Sequence, residues 1–296
     1  MKIRIGVGLG AGGASDSATF AGAVQSMERL GFDSLWLSEV LTGGVVDPLA
    51  GLAFAGGFTK KLKLGTTLTV TGRNPIRLAK ELATLDRFSN GRLLLVFVPG
   101  LTDRLEDQAL GVPVAERGAW IEEVLPLVRR LWSEDEVWHT GPRFRYEGLS
   151  LLPRPLQQPL EVWLGGAARS ALRRAGRLSD GWLPSLCTPE EAAAGRAAIE
   201  TAAAEVGRRV DPEHFGISLG YARGEIPDAQ AARVAKRRPG LDPAAVIPVG
   251  MPGVRRMLER YIDVGFSKFV VRPGQTPESW PAELEQLAEG VLPLQT

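Results

Sequence analysis

The sequence predicts a (β/α)8 TIM barrel with insertion loops, drawn as one domain over residues 1–296. Three observations lead there. Short apolar, β-branched runs alternate with helical periods along most of the chain. Glycine or proline punctuates the strand ends, most plainly in residues 47–100, where two helix patterns and two strand patterns follow one another. Counted together, the strand-like runs come to eight, and eight parallel strands with intervening helices close most naturally into a barrel. A doubly wound sheet is the alternative. It is disfavoured because the first turn (Gly8, Gly10, Gly12, Gly13) is not a GxGxxG fingerprint and Glu39 comes later than a ribose-binding acid would.

The elements follow in order. Residues 2–8 are apolar and β-branched and end in glycine, as a buried strand does. In 16–30, Phe20, Val24, Met27 and Leu30 recur at helical spacing, Asp16 can cap the start and Gly31 the end. Strand 33–37, helix 48–58, strand 62–69, helix 76–88 and strand 92–98 continue the alternation. Residues 115–132 form a long helix, and 133–159, with proline, glycine and aromatics but no long period, reads as an insertion loop. Strand 160–164, helix 169–178, a short strand 181–184, an alanine-rich helix 190–208 and strand 215–219 come next. Residues 224–248 read as irregular with one helix; helix 254–264, stopped at Gly265, and strand 268–271 complete the count.

Composition excludes several function classes. Hydrophobic residues make up 44% of the chain, ample for a large core, and the formal net charge is +1, so no strong field selects nucleic acid or a membrane surface. One cysteine, Cys187, rules out an internal disulfide, and two histidines, His139 and His214, make a metal cluster an unlikely use of this sequence. No apolar run of about 18 residues is present and the amino terminus reads as a strand, so the expectation is a cytoplasmic protein.

Four stretches carry a family resemblance: MERLGFDSLWLSE (27–39); the 47–100 block, above all LGTTLTV and AKELATLDRFSNGR; LLPRPLQQPLEVWLGG with RRAGRLSDGW (151–182); and VRRMLERYIDVGFSKFVV (254–271). Taken in this order and spacing, they resemble the luciferase-like monooxygenases and F420-dependent oxidoreductases. The resemblance implies a barrel that holds F420, with FMN as the alternative, at the carboxyl ends of its strands. It also implies hydride transfer to or from a small organic substrate, and a homodimer, although no interface can be read from the residues. With FMN, monooxygenation becomes available. Two other classes stay open: a non-catalytic F420- or flavin-binding protein, and a non-redox barrel enzyme, which would need a lysine or metal ligands at strand ends.

The same resemblance assigns the site. Thr67, Leu68 and Thr69 end strand three, where similar proteins carry a non-proline cis peptide beneath the ring; by position it falls at Thr67–Leu68. Gly165, Gly166, Ala167 and Ala168 lead from a strand into a helix, whose first amides suit a phosphate; an ordinary glycine turn is the competing reading. Glu39 takes the catalytic position after strand two, although Val40 stands where the family usually has His, and a solvated loop glutamate is the competing reading. At strand four, Val98, Pro99 and Gly100 replace a glycine-rich turn. Arg272, ending strand eight, is expected to bind a phosphate or the acidic tail of F420, or else to pair with a loop carboxylate. Loops 102–114, 133–159 and 224–248 are expected to shape the substrate pocket.

Overall fold

Local capping sets the first elements of the chain, as seen in a computed structural model that describes residues 1–10 and 16–296. Strand β1 (Arg4–Leu9) leads to helix α1 (Ser17–Leu30), whose start is capped by Asp16 through the amides of Ala18 and Thr19. Gly12 and Gly13 of the first turn lie outside the described residues. Gly31, at φ +88°, ends α1 in the left-handed conformation that glycine tolerates best. Then come β2 (Ser34–Ser38), α2 (Pro48–Phe58), β3 (Lys63–Thr69), α3 (Pro75–Phe88) and β4 (Leu93–Val98), with Asp47 and Asn74 as caps and proline at both helix starts. Helices α4 (Arg104–Leu110) and α5 (Val114–Ser133) follow, then a hairpin of β5 (Val137–Thr140) and β6 (Arg145–Leu149). The second half runs β7 (Val162–Leu164), α6 (Arg169–Leu178), α7 (Pro189–Ala204), β8 (Gly216–Tyr221), α8 (Asp228–Arg237), α9 (Gly250–Asp263), β9 (Lys268–Pro273) and α10 (Trp280–Val291).

Seven strands form one curled parallel sheet in the order β7-β4-β3-β2-β1-β9-β8. Strands of this sheet that follow one another in the chain lie side by side except β7 and β8, which form the two open edges, and β1 pairs with β9. A doubly wound sheet reverses direction partway and does not do this. The predicted strand 181–184 is a correction: it forms no regular strand. Trp182 instead makes isolated parallel bridges to Leu164 and to Phe215, and Ser185 bridges Ser218, so this segment touches both sheet edges. Pro184 has no amide to donate, which interrupts the ladder after two residues. The 133–159 loop is a second correction, since it contains the β5–β6 hairpin. Helices α4 and α10 had no counterpart in the sequence reading.

Strand alternation divides the side chains between two faces. One face packs against the helices in a large core that includes Ile5, Val7, Leu35, Leu37, Leu64, Phe97, Ile217 and Val271. The concave face carries a smaller apolar layer of Trp36, Val96, Leu183 and Val270, flanked by Leu94, Val98 and Trp163. Gly65 and Gly6 make room for the Trp36 indole: a Cβ on Gly65 would lie 2.4 Å from Trp36 Cδ2, and one on Gly6 2.9 Å from Cδ1. The indole Nε1 donates to Ser34 Oγ at 2.9 Å, satisfying its one polar group within the layer.

Candidate functional site at the carboxyl ends of the strands

The register places Ser38 beside Thr67, Thr67 beside Val96 and Thr69 beside Val98, so these residues share the concave face with Trp36. Gly8 and Gly220 also lie on it, either side of Arg272 on β9. Small side chains therefore rim the carboxyl-end mouth, and the Trp36–Val96–Leu183–Val270 layer forms its apolar floor. Beside Ser38, a small cleft of about 10 Å³, room for roughly one water, is lined by Leu9, Phe20, Leu37, Val45 and Val46 among others. A floor of this kind with few polar groups suits a flat, mostly apolar ring system.

Each predicted site residue can be located. The peptide between Thr67 and Leu68 is trans, as are its neighbours; the cis bonds among the described residues are Leu152–Pro153 and Gln158–Pro159. The expected cis bulge is thus corrected. The reason is that β3 stays in register to its last residue, with Leu68 opposite Phe97 and Thr69 opposite Val98. Leu68 turns toward the helices and is fully buried there. Glu39 points away from the concave face: its Oε2 accepts from the Thr69 amide at 2.8 Å and its Oε1 from Arg73 Nη2 at 2.5 Å. Arg73 Nε also donates to the Thr69 carbonyl. Burial pushes the Glu39 carboxyl above its ordinary range against the pull of Arg73 and the Thr69 amide. With both oxygens engaged, Glu39 clasps the ends of β2 and β3.

Val98 reaches the mouth, and Gly100 sits against Thr69, where a Cβ would lie 3.1 Å from Thr69 Cγ2. The Pro99 carbonyl accepts from Thr71 Oγ1 at 2.9 Å. Gly100 sits at φ +92°, where a Cβ would strike Leu110 Cδ1 at 2.7 Å. Buried Arg117 braces this turn through the carbonyls of Leu101 and Val112 and the carboxylate of Asp107. Gly165 continues β7 and is buried; Gly166, Ala167 and Ala168 are exposed. Ala168 begins α6 with no side-chain cap, no acidic residue in the first turn, and Leu172 as the first helical amide bonded back to it. The first-turn amides face solvent, the arrangement that accepts an anion. Trp182 Nε1 holds the Gly166 carbonyl at 2.8 Å.

The remaining conspicuous residues are structural. Asp86 takes the amides of Leu156 and Gln157 and the Gln157 side chain. Arg92 gathers the carbonyls of Gly56, Thr59, Leu62 and Ser89. His139 bonds Glu123 and His214 the Asp180 carbonyl. Cys187 is buried, its thiol pushed up to about 12. Among the described residues no cluster of three metal-ligating side chains occurs, and no helix is long and apolar enough to cross a membrane.

A model of the family described as luciferase-like monooxygenase matches residues 1–260. The chain belongs to the luciferase-like monooxygenase family. A Mycobacterium tuberculosis protein provisionally named a coenzyme F420-dependent oxidoreductase is 28% identical over 255 residues, 81% of this chain and 71% of that one. An FMNH2-dependent dimethylsulfone monooxygenase of Pseudomonas fluorescens is 36% identical over 125 residues, 41% of this chain, which spans about a third (34%) of that relative's length. In fold, an F420-dependent secondary alcohol dehydrogenase superposes with a TM-score of 0.83 over 100% of both chains at 18% identity. The luciferase-like assignment agrees with the strand order, and relatives that use F420 and FMN both occur in it. Three residues of this luciferase-like mouth escaped the sequence reading: Gly8 as a spacer, Ser38 and Gly220. The period-two pattern Ser34, Trp36, Ser38 would have shown the second of these.

Proposed function

We propose that the chain is an F420-dependent oxidoreductase that transfers a hydride between F420 and a small organic substrate at the mouth. The observation that carries the reading is the apolar floor of Trp36, Val96, Leu183 and Val270 beside the uncapped start of α6. The residues present fit such a cofactor. Thr67, Thr69 and Val98 would line the ring, Gly166, Ala167 and Ala168 would bring backbone amides to its phosphate while Gly165, its amide bonded to the Phe97 carbonyl, holds the turn to the sheet, and Arg272 supplies a cation at the rim. When bound, F420 supplies the ring carbon that carries the hydride.

The chain's own contribution is placement. The floor keeps water from beneath the ring, and the hydroxyls of Ser38 and Thr67 offer hydrogen bonds to a substrate oxygen above it. Glu39 acts through Thr69, fixing the end of β3, so it is a positioning residue. FMN is the second reading, favoured by the match to the Pseudomonas monooxygenase.

Equilibrium titration, followed by absorption or fluorescence, tests the choice. Tighter binding of F420 than FMN is expected, and Gly166→Val should weaken F420 binding by about tenfold, since Gly166 sits at φ +90° in the turn that presents the amides. FMN binding with no detectable F420 binding would reverse the cofactor. A folded Gly166→Val with unchanged affinity would remove the α6 turn from the site.

A further inference from the structure

Helix α4 docks without an apolar face. Its buried residue is Glu106, which is 1% exposed, while Leu105 beside it is 51% exposed. A helix on a protein surface ordinarily does the reverse, burying the leucine and leaving the acid in water. Among the described residues Glu106 makes no ion pair. Its Oε1 accepts from the Thr42 amide at 2.8 Å and from Thr42 Oγ1 at 3.0 Å. The next residue, Asp107, accepts from Arg117 Nη2 of α5 at 2.7 Å. Two adjacent carboxylates therefore hold the helix, one to the loop after β2 and one to α5.

The sheet order gives this contact its meaning. Thr42 lies between β2 and α2, α4 follows β4, and β3 lies between β2 and β4 in the sheet. The Thr42–Glu106 bonds therefore span the carboxyl end of β3, where Thr67 and Thr69 stand in the mouth. The end of α4 rests on the same place. A Cβ on Gly72, just past β3, would lie 3.4 Å from the Leu110 carbonyl oxygen, and one on Gly100 would lie 2.7 Å from Leu110 Cδ1. Gly100 at φ +92° and Gly111 at φ +63° bracket the segment with backbone that glycine adopts freely. Asp103 satisfies the first turn locally, through the amides of Leu105 and Glu106. An element with few buried apolar contacts opens at low cost, and a carboxylate released from burial regains its hydration.

We propose that α4 is a hinged strap, latched across the end of β3 by the Glu106–Thr42 contact, and that opening the latch admits and releases the ligand of the mouth. Glu106 is a positioning residue: it acts through Thr42 on the loop after β2, the same loop whose Gly44, Val45 and Val46 line the cleft beside Ser38. Closed, the strap joins the loops after β2 and β4 into one rim; open, it frees both at once. This rests on the mouth being the reaction site and not on which cofactor fills it.

Hydrogen exchange of the full chain, read by mass spectrometry, tests the latch. Glu106→Ala is expected to speed exchange about tenfold in residues 40–46 and 102–110 together, with 64–69 of β3 unchanged. Thr42→Val keeps the amide donor and loses the hydroxyl, and should speed exchange in 102–110 several-fold from across β3. Glu106→Gln retains an acceptor oxygen and should stay near the wild type. Thr42→Val alone serves if Glu106→Ala does not fold. Stopped-flow binding of F420, and separately of FMN, tests the gate. Association and dissociation should both quicken in Glu106→Ala, with Kd changed less than about threefold, because a latch sets a barrier and not a depth. Faster dissociation alone would make the contact part of the binding site and overturn the gate. Unchanged rates in a folded Glu106→Ala, or faster exchange confined to 102–110, would overturn it too. Binding of neither F420 nor FMN would refute the cofactor reading; the paired exchange response would still uphold the latch, and its absence would overturn it.

Discussion

Gly65→Ala adds one methyl group where the structure has no room for it. The new Cβ would lie 2.4 Å from both Cδ2 and Cε2 of Trp36 and 2.8 Å from Cε3, about 1 Å inside ordinary carbon–carbon contact. Trp36 cannot retreat along its own plane, because Gly6 already lies close to Cδ1 and the Nε1–Ser34 bond pins the ring. The backbone at Gly65 is not left-handed, so the cost is steric overlap and not strain in φ. Overpacking of a tight core costs typically 1–3 kcal/mol, and contact with a rigid indole from two sides puts this case at about 3 kcal/mol. For a chain of 296 residues that corresponds to a fall in Tm of roughly 5 °C. Urea unfolding followed by circular dichroism would show a lower midpoint with an unchanged slope. Trp36→Leu in the same background should recover part of the loss, since a smaller side chain relieves the clash. Gly57→Ala is the control: it lies on the exposed side of α2 with nothing within 4 Å, and should stabilise by about 0.5–1 kcal/mol. A Gly65→Ala variant as stable as the wild type would refute the packing of Trp36 against β3, and with it the floor of the mouth.

Asp86→Ala should cost about 3 kcal/mol in the same unfolding assay, because it strands the amides of Leu156 and Gln157 and the Gln157 side chain together; a loss under about 1 kcal/mol would mean the 150–158 segment is held otherwise. Glu28 is opposed by burial, but the amides of Leu62, Lys61 and Lys60, with Arg92, outweigh it and hold its carboxyl below the ordinary 4.5. A depressed folded value means that its stabilisation is present above pH 4.5 and is lost as pH falls through the folded value. Glu28→Gln should therefore lose about 1–2 kcal/mol at neutral pH and converge with the wild type once the pH has fallen below the folded value; a gap that persists through the acid limb would place the effect elsewhere.

Much of the curled parallel sheet was legible because strand burial is written in period two and helix ends in caps. Asp16 and Gly31 mark boundaries that the structure keeps almost to the residue, while Asp47 and Asn74 cap the next two helices without having been read as caps. The hairpin was not legible. Its turn is held by Glu123 of α5, whose carboxylate takes the Arg143 and Phe144 amides and His139, a contact across about twenty residues that no local pattern records. Helix α10 had signals, Ser279 as cap and Pro281 in the first turn, that went unused. At the site, strand-end positions were found but not their directions. Leu68 faces the helices, and Glu39 bonds Thr69 and Arg73. Glu106 lies in a segment read only as a loop, and its meaning comes only from Thr42, 64 positions earlier.

Trp182 joins two functions of the wall in one side chain. Its backbone bridges both β7 and the residue before β8, where no regular strand exists, and its indole holds the carbonyl of Gly166 at the start of the α6 turn. The place where the wall is least zipped is thus mechanically tied to the place where first-turn amides meet solvent. Loosening the seam would splay those amides, and an anion resting on them would in turn tighten the seam. Ligand affinity at α6 and the breathing of the sheet edges are then two readings of one equilibrium, visible as slowed amide exchange at residues 181–185 when the turn is occupied.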